Sequence, residues 1–139
     1  MRRKSGIGLV AAFAVVSGAL FGAEKPETAA ETAARTWLGL TDGGKYGESW
    51  DAASTLFREA ITRTKWEESL REVRAPLGKV VTRKLASAQH ETSLPGAPPG
   101  EYVRVVYDTE FQNRPGSTET ATFTKDKDGT WRAAGYYIK

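Results

Sequence analysis

The sequence predicts an α+β domain, with three N-terminal helices packed on a curved antiparallel sheet of three to four strands. Three observations predict it. Apolar residues recur at three- and four-residue spacing between Ala30 and Val73. After Gly78 the texture turns to Val- and Thr-rich runs, and residues 101–111 alternate strictly. The Asp128-Gly129 pair then marks a tight hairpin near the chain end.

Each element has a local reason. Residues 24–28 read as a polar tether. Ala30, Ala33, Ala34, Trp37 and Leu38 form one face of a first helix, and Asp42-Gly43-Gly44 stops it. A second helical stretch runs from about 47 to 62, with Trp50, Ala53, Leu56, Phe57, Ala60 and Ile61 on the helical period. Thr64 followed by Glu67 reads as a capping box for a third helix carrying Trp66, Leu70 and Val73, which Pro76 and Gly78 end. Residues 79–89 read as a strand, and the Pro- and Gly-rich 92–100 as a connecting loop. In 101–111, Val103, Val105, Tyr107, Thr109 and Phe111 share one face, while Tyr102, Arg104, Val106, Asp108 and Glu110 share the other. Residues 113–116 read as a turn, 118–125 as a strand and 130–138 as the last strand. No internal repeat or second domain is visible.

Charge divides the chain unevenly. Arg2, Arg3 and Lys4 open it, and no acid precedes Glu24; the remaining 17 of the 20 basic residues equal the 17 acidic ones. The basic balance therefore belongs to the first 23 residues, which read as a signal peptide. A positive start precedes an apolar 7–16, and the small residues Ser17, Gly18, Ala19, Gly22 and Ala23 suit cleavage between Ala19 and Ala23. That predicts a periplasmic or secreted domain spanning 24–139, with an uncleaved N-terminal anchor as the alternative. The chain has no cysteine, so disulfides, thiolate nucleophiles and lipid attachment to cysteine are excluded. An exported domain of this kind must be held by its core. Trp37, Trp50, Trp66 and Trp131 are its largest anchors, each able to bury about 150–250 Å².

The residues Ala34-Arg35-Thr36-Trp37-Leu38, Ser49-Trp50, Val73-Arg74-Ala75-Pro76-Leu77-Gly78, Leu94-Pro95-Gly96-Ala97-Pro98 and Asp128-Gly129-Thr130-Trp131-Arg132 resemble a family of small exported bacterial proteins, domain of unknown function 4019. The resemblance covers nearly all of 24–139. Pro99 stands where that family often has Asp, which stiffens the loop. The element order is also similar to the cone-shaped nuclear transport factor 2 fold, which implies a sheet wrapped around a long helix with a space between them that is open or filled. That fold hosts enzymes and binding modules alike, so it assigns no function.

Enzymes on such cones place a carboxylate in an apolar hollow, where burial raises its pKa. Glu119 shares its strand face with Ala121 and Phe123 and is the one carboxylate on a partly apolar face, near a strand end. With Tyr107 or the lone His90 it makes the candidate catalytic set; the competing reading is a body without an embedded proton donor or acceptor. Arg104 and Asp108, four apart on the polar face, read as an exposed ion-pair row, and Arg74 as a cation at a helix C-terminus. Trp37, Tyr107, Trp131 and Tyr137 are the candidate ligand contacts. No phosphate-loop, dinucleotide, zinc-protease, calcium-loop or Gly-x-Ser-x-Gly pattern is present, so neither a metal nor a cofactor is expected. Balanced charge without a basic run argues against nucleic acid. The expectation is an exported, non-catalytic domain that binds a small apolar ligand or a protein partner, with self-association into a homodimer or small-molecule lyase, isomerase or hydrolase chemistry as the alternatives.

Overall fold

A computed structural model describes residues 24–139; the leader assigned to 1–23 lies outside the described residues. Among the described residues four helices, one more than expected, and a short 3-10 turn precede four strands, the upper count expected. Helix α1 (Pro26–Asp42) starts on Pro26, whose fixed φ suits a first helical turn, and buries Ala30, Ala34, Trp37, Leu38 and Thr41. The predicted second helix is two: α2 (Tyr46–Asp51) and α3 (Thr55–Ala60). The helical period survives the break because both pieces face the same core. The break itself is set by Ser54, whose hydroxyl accepts from Phe57 N at 3.1 Å and restarts the helix. Its own N–H donates to Ala133 O of the last strand at 2.9 Å, so a long-range bond fixes the interruption.

Helix α4 (Arg63–Arg74) is capped by Thr62, which accepts from Lys65 N at 3.2 Å; the Thr64–Glu67 box does not form. Glu67 is engaged elsewhere, accepting from Arg63 Nη1 at 2.8 Å, while Arg63 also grips Asp51. A 3-10 turn, Ala75–Leu77, leads to Gly78, whose φ of 75° requires glycine and swings the chain into the sheet.

The sheet is an antiparallel meander in the order β1-β2-β3-β4, made of β1 (Val80–Glu91), β2 (Tyr102–Phe111), β3 (Arg114–Lys125) and β4 (Trp131–Ile138). Bulges in every pairing bend it. The turn expected at 113–116 falls at 112–113 instead, with Arg114 already paired to Phe111. Gln112 N donates to Lys79 O at 2.8 Å and Asn113 N to Leu77 O at 2.9 Å, which fasten the turn to the 3-10 segment. Gly116, at φ 73°, absorbs the extra residue inside β3. The 92–100 loop is pinned by Tyr102 Oη donating to Pro98 O at 2.6 Å.

The space between helices and sheet is filled. Trp37 lies at its centre, with ring centroids 6.1 Å from Trp66, 6.1 Å from Phe123 and 5.4 Å from Tyr136; Phe57 meets Trp66 edge-on at 4.8 Å. The indoles keep their polar atoms satisfied. Trp37 Nε1 donates to Ser49 O, Trp66 Nε1 to Ser49 Oγ and Trp50 Nε1 to Ile61 O. One buried serine thus serves two tryptophans and locks α1, α2 and α4 together.

Candidate functional site

A charged cluster runs from the surface into the core. It joins the C-terminal turn of α1 (Thr41, Asp42), the end of α4 (Arg74), β1 (Arg83), β2 (Thr109), β3 (Glu119) and β4 (Tyr136). The cross-strand register makes it: Arg83 pairs with Thr109, and Thr109 with Ser117, two residues from Glu119 on the same face. Glu119 is fully buried. Arg83 grips it two-pronged, at 2.7 Å to Oε1 and 3.2 Å to Oε2; Thr109 donates to Oε1 at 2.5 Å and Tyr136 donates to Oε2. Arg83 also bonds both oxygens of Asp42, at 2.8 and 2.9 Å. Arg74, itself buried, donates to Asp42 at 2.8 Å and to Thr41 Oγ1 at 3.0 Å, with its guanidinium 5.0 Å from the Phe111 ring centroid.

Two arginines and two carboxylates balance. Burial pushes the Asp42 carboxyl up, but hydrogen bonds and charge from Arg83 and Arg74 outweigh it and hold it below the usual carboxylate range. Burial, and next the Glu119 charge, push the Tyr136 phenol well above its ordinary value. Burial alone lowers the Arg83 pKa, yet its bonds to Asp42 and Glu119 raise it overall. A carboxylate has about four acceptor positions, and Glu119 has four donors on them. No lone pair is left to take a substrate proton. The expectation of a body without an embedded ionisable pair is therefore corrected: the pair is there, and it is closed.

Of the proposed partners of Glu119, Tyr107 stands directly opposite it on β2 but turns its hydroxyl away, and His90 lies far along the sheet. Tyr107 Oη donates instead to Glu31 Oε1 of α1 at 3.3 Å, and burial followed by the Glu31 charge raises its pKa. His90 pairs across the sheet with Val103, four residues up β2 from the Tyr107–Glu119 pair, or about 13 Å at the usual strand rise. Its Nε2 lies 3.4 Å from Glu101 Oε1, at the other end of the sheet. Arg104 bonds Glu91 across β1 at 2.6 Å rather than forming a row with Asp108. Arg74 does end α4, but its side chain bonds the Thr41 hydroxyl and the Asp42 carboxylate in the last turn of a second helix, α1. This reach across two helices has no sequence signal.

The candidate ligand contacts separate in the same way. Trp37 and Tyr107 are core. Trp131 is half-buried and lines a groove of about 260 Å³ with Leu40 and Phe123. Tyr137 is 59 % exposed and borders a groove of about 210 Å³ between α4 and β4, lined by Trp66, Leu70, Val73, Tyr136 and Ile138. A larger cleft of about 680 Å³ at the β3–β4 turn is lined with charge, including Arg58, Lys125, Asp126 and Arg132. Among the described residues, no cluster of three or more His, Asp and Glu could hold a metal ion, and no helix is long and apolar enough to cross a membrane.

Fold and site together define a four-helix, four-strand α+β domain with a filled interior and an ion network that runs from the exposed Asp42 to the fully buried Glu119. The chain belongs to the family described as protein of unknown function (DUF4019), whose pattern matches residues 33–136. That span runs from α1 into β4 and takes in every member of the ion network. Neither the curated proteins nor the solved structures contain a match to the chain.

Proposed function

We propose that this chain is an exported, non-catalytic binding domain, built as a cone of the nuclear transport factor 2 kind, that meets a protein partner along the α4–β4 groove. The observation that carries this reading is the contrast between a filled interior and an open apolar edge. Aromatic rings occupy the space where a cone would hold a small ligand, and Glu119, the one fully buried carboxylate among the described residues, is fully bonded. The α4–β4 groove, by contrast, leaves Val73 47 % and Tyr137 59 % exposed beside an edge strand. At about 210 Å³ it is smaller than the roughly 300–1,000 Å³ of small-molecule pockets, and it suits one bulky side chain of a protein partner. Export rests on the leader: three basic residues, an apolar stretch and small residues before Glu24.

A photo-crosslinking residue at position 137, in cells exporting the protein, tests the reading. One discrete adduct, lost in Val73→Asp, is expected. Equal adducts from position 84 on the opposite edge strand refute it, as does turnover by the purified protein that Glu119→Gln abolishes.

A further inference from the structure

The occupant of this groove follows from backbone geometry, given that the α4–β4 edge is the binding face. Thr118 and Lys139 exchange both of their backbone hydrogen bonds, at 2.9 and 2.8 Å. In an antiparallel pair such exchanges alternate along the strand. The unbroken register Glu119–Ile138, Thr120–Tyr137, Ala121–Tyr136 and Thr122–Gly135 therefore points the N–H and C=O of Tyr137 and Gly135 at β3, and those of Tyr136 and Ile138 away from it. Among the described residues nothing bonds these outward groups. Higher up the strand, Ala133 O is already taken by Ser54 N. The open part of the edge is thus short and defined.

The two edge strands differ in how they resist pairing. β1 carries two register shifts and the charged Arg83 and Lys84. β4 from Ala133 to Ile138 has no charge and no proline, and its single irregularity lies above Gly135. Natural edges are protected by charge, proline or bulges, and this one lacks those devices where its backbone is free. The residues 24–139 also carry equal numbers of acidic and basic side chains, so no net charge drives two copies apart.

We propose that a second copy of this chain docks here, β4 against β4, about a two-fold axis through Tyr137. The register is self-complementary. Tyr136 of each copy exchanges two backbone hydrogen bonds with Ile138 of the other, and the two Tyr137 residues face each other as a non-hydrogen-bonded pair on the outer face of a continuous sheet. Tyr136 and Ile138 side chains stay on the inner face, and with Leu70 and Val73 they offer each copy an apolar seat for the other. The interface is isologous, as closed two-fold dimers require.

The facing pair gives a direct test. Non-hydrogen-bonded partners stand about 4.5 Å apart at Cα, inside the disulfide range, and the chain has no cysteine of its own. In protein purified after expression of the full chain, Tyr137→Cys is expected to oxidise to a covalent dimer, while Val81→Cys, equally exposed on the β1 edge, does not. Tyr137→Lys and Tyr137→Glu, each with an unchanged far-ultraviolet circular dichroism spectrum, are expected to sediment at monomer mass. Mixing the two restores doubled mass. A parent protein that stays monomeric across concentrations overturns the proposal, as do equal cross-linking from positions 81 and 137 or failure of the mixed pair to reassociate. If position 137 of that monomer still photo-crosslinks a different protein, the dimer falls and the binding-domain reading stands; if it captures nothing, both fall.

Discussion

Two arginine–carboxylate clusters sit along β3, one halfway along it and one just beyond its end, and they are chemically alike. Around Glu119, Arg83 bonds two carboxylates. Around the β3–β4 turn, Arg132 bonds Asp126 at 2.9 Å and Asp128 at 2.8 and 2.9 Å. Both hold a carboxyl below its usual range: Asp42 in the first, and Asp128, through the Arg132 hydrogen bonds, in the second. Their surroundings are opposite. Glu119 is out of water entirely, whereas Asp128 is open to solvent. A partner removed from the first leaves a charge stranded in the core, while a partner removed from the second leaves a charge that water and salt take up. Environment, more than bond count, sets what each cluster is worth.

Substitutions break this comparison in a graded order. Arg83→Ala strands Glu119 and leaves Asp42 to Arg74 alone, and should lower unfolding free energy by about 3–5 kcal/mol in a urea titration; a loss no larger than for Arg132→Ala would end the contrast. Tyr136→Phe removes one donor from Glu119 and keeps the ring against Trp37, so about 1–3 kcal/mol is expected from the same titration. Acid comes next. A depressed carboxyl contributes stability above its unfolded pKa of about 4 and loses it as pH falls through the folded value. Thermal midpoints should therefore drop below about pH 4, and Asp42→Asn should flatten that limb. The raised Tyr136 pKa works at the other extreme: its contribution is intact below about pH 10 and is lost above it, as the unfolded phenol ionises. Asp128→Asn is the smallest change. It should leave the melting midpoint in place, and any acid-limb difference it makes should vanish in added salt.

Local pattern carried much of the architecture. The i, i+4 face of α1, the alternation of β2 and the Asp128-Gly129 hairpin are written in runs of a few residues, where side-chain period and turn chemistry act alone. The helix over 47–62 breaks because Ser54 N reaches β4. The Thr62 cap prevails because Arg63 occupies Glu67, and the turn after β2 moves because the 3-10 segment holds it. The helix break and the turn were decided by bonds to distant partners, the cap by a contact one helical turn away. Glu119 stood out in the sequence as a carboxylate among apolar neighbours, but its role did not. A lone acid on a strand face reads equally as a base or a buried ion, and only the arrival of Arg83, Thr109 and Tyr136 from three other strands separates them.

The sequence by itself determined the class of fold, the balanced charge of residues 24–139, the absence of cysteine chemistry and the family. Those properties are sums or short-range periods, which no tertiary contact can change. Tertiary structure decided that the interior is closed and the ion pair sealed, and that the free backbone lies at Tyr136 and Ile138. These depend on which strands become neighbours and in what register, and a shift of one residue would exchange every inward side chain for an outward one.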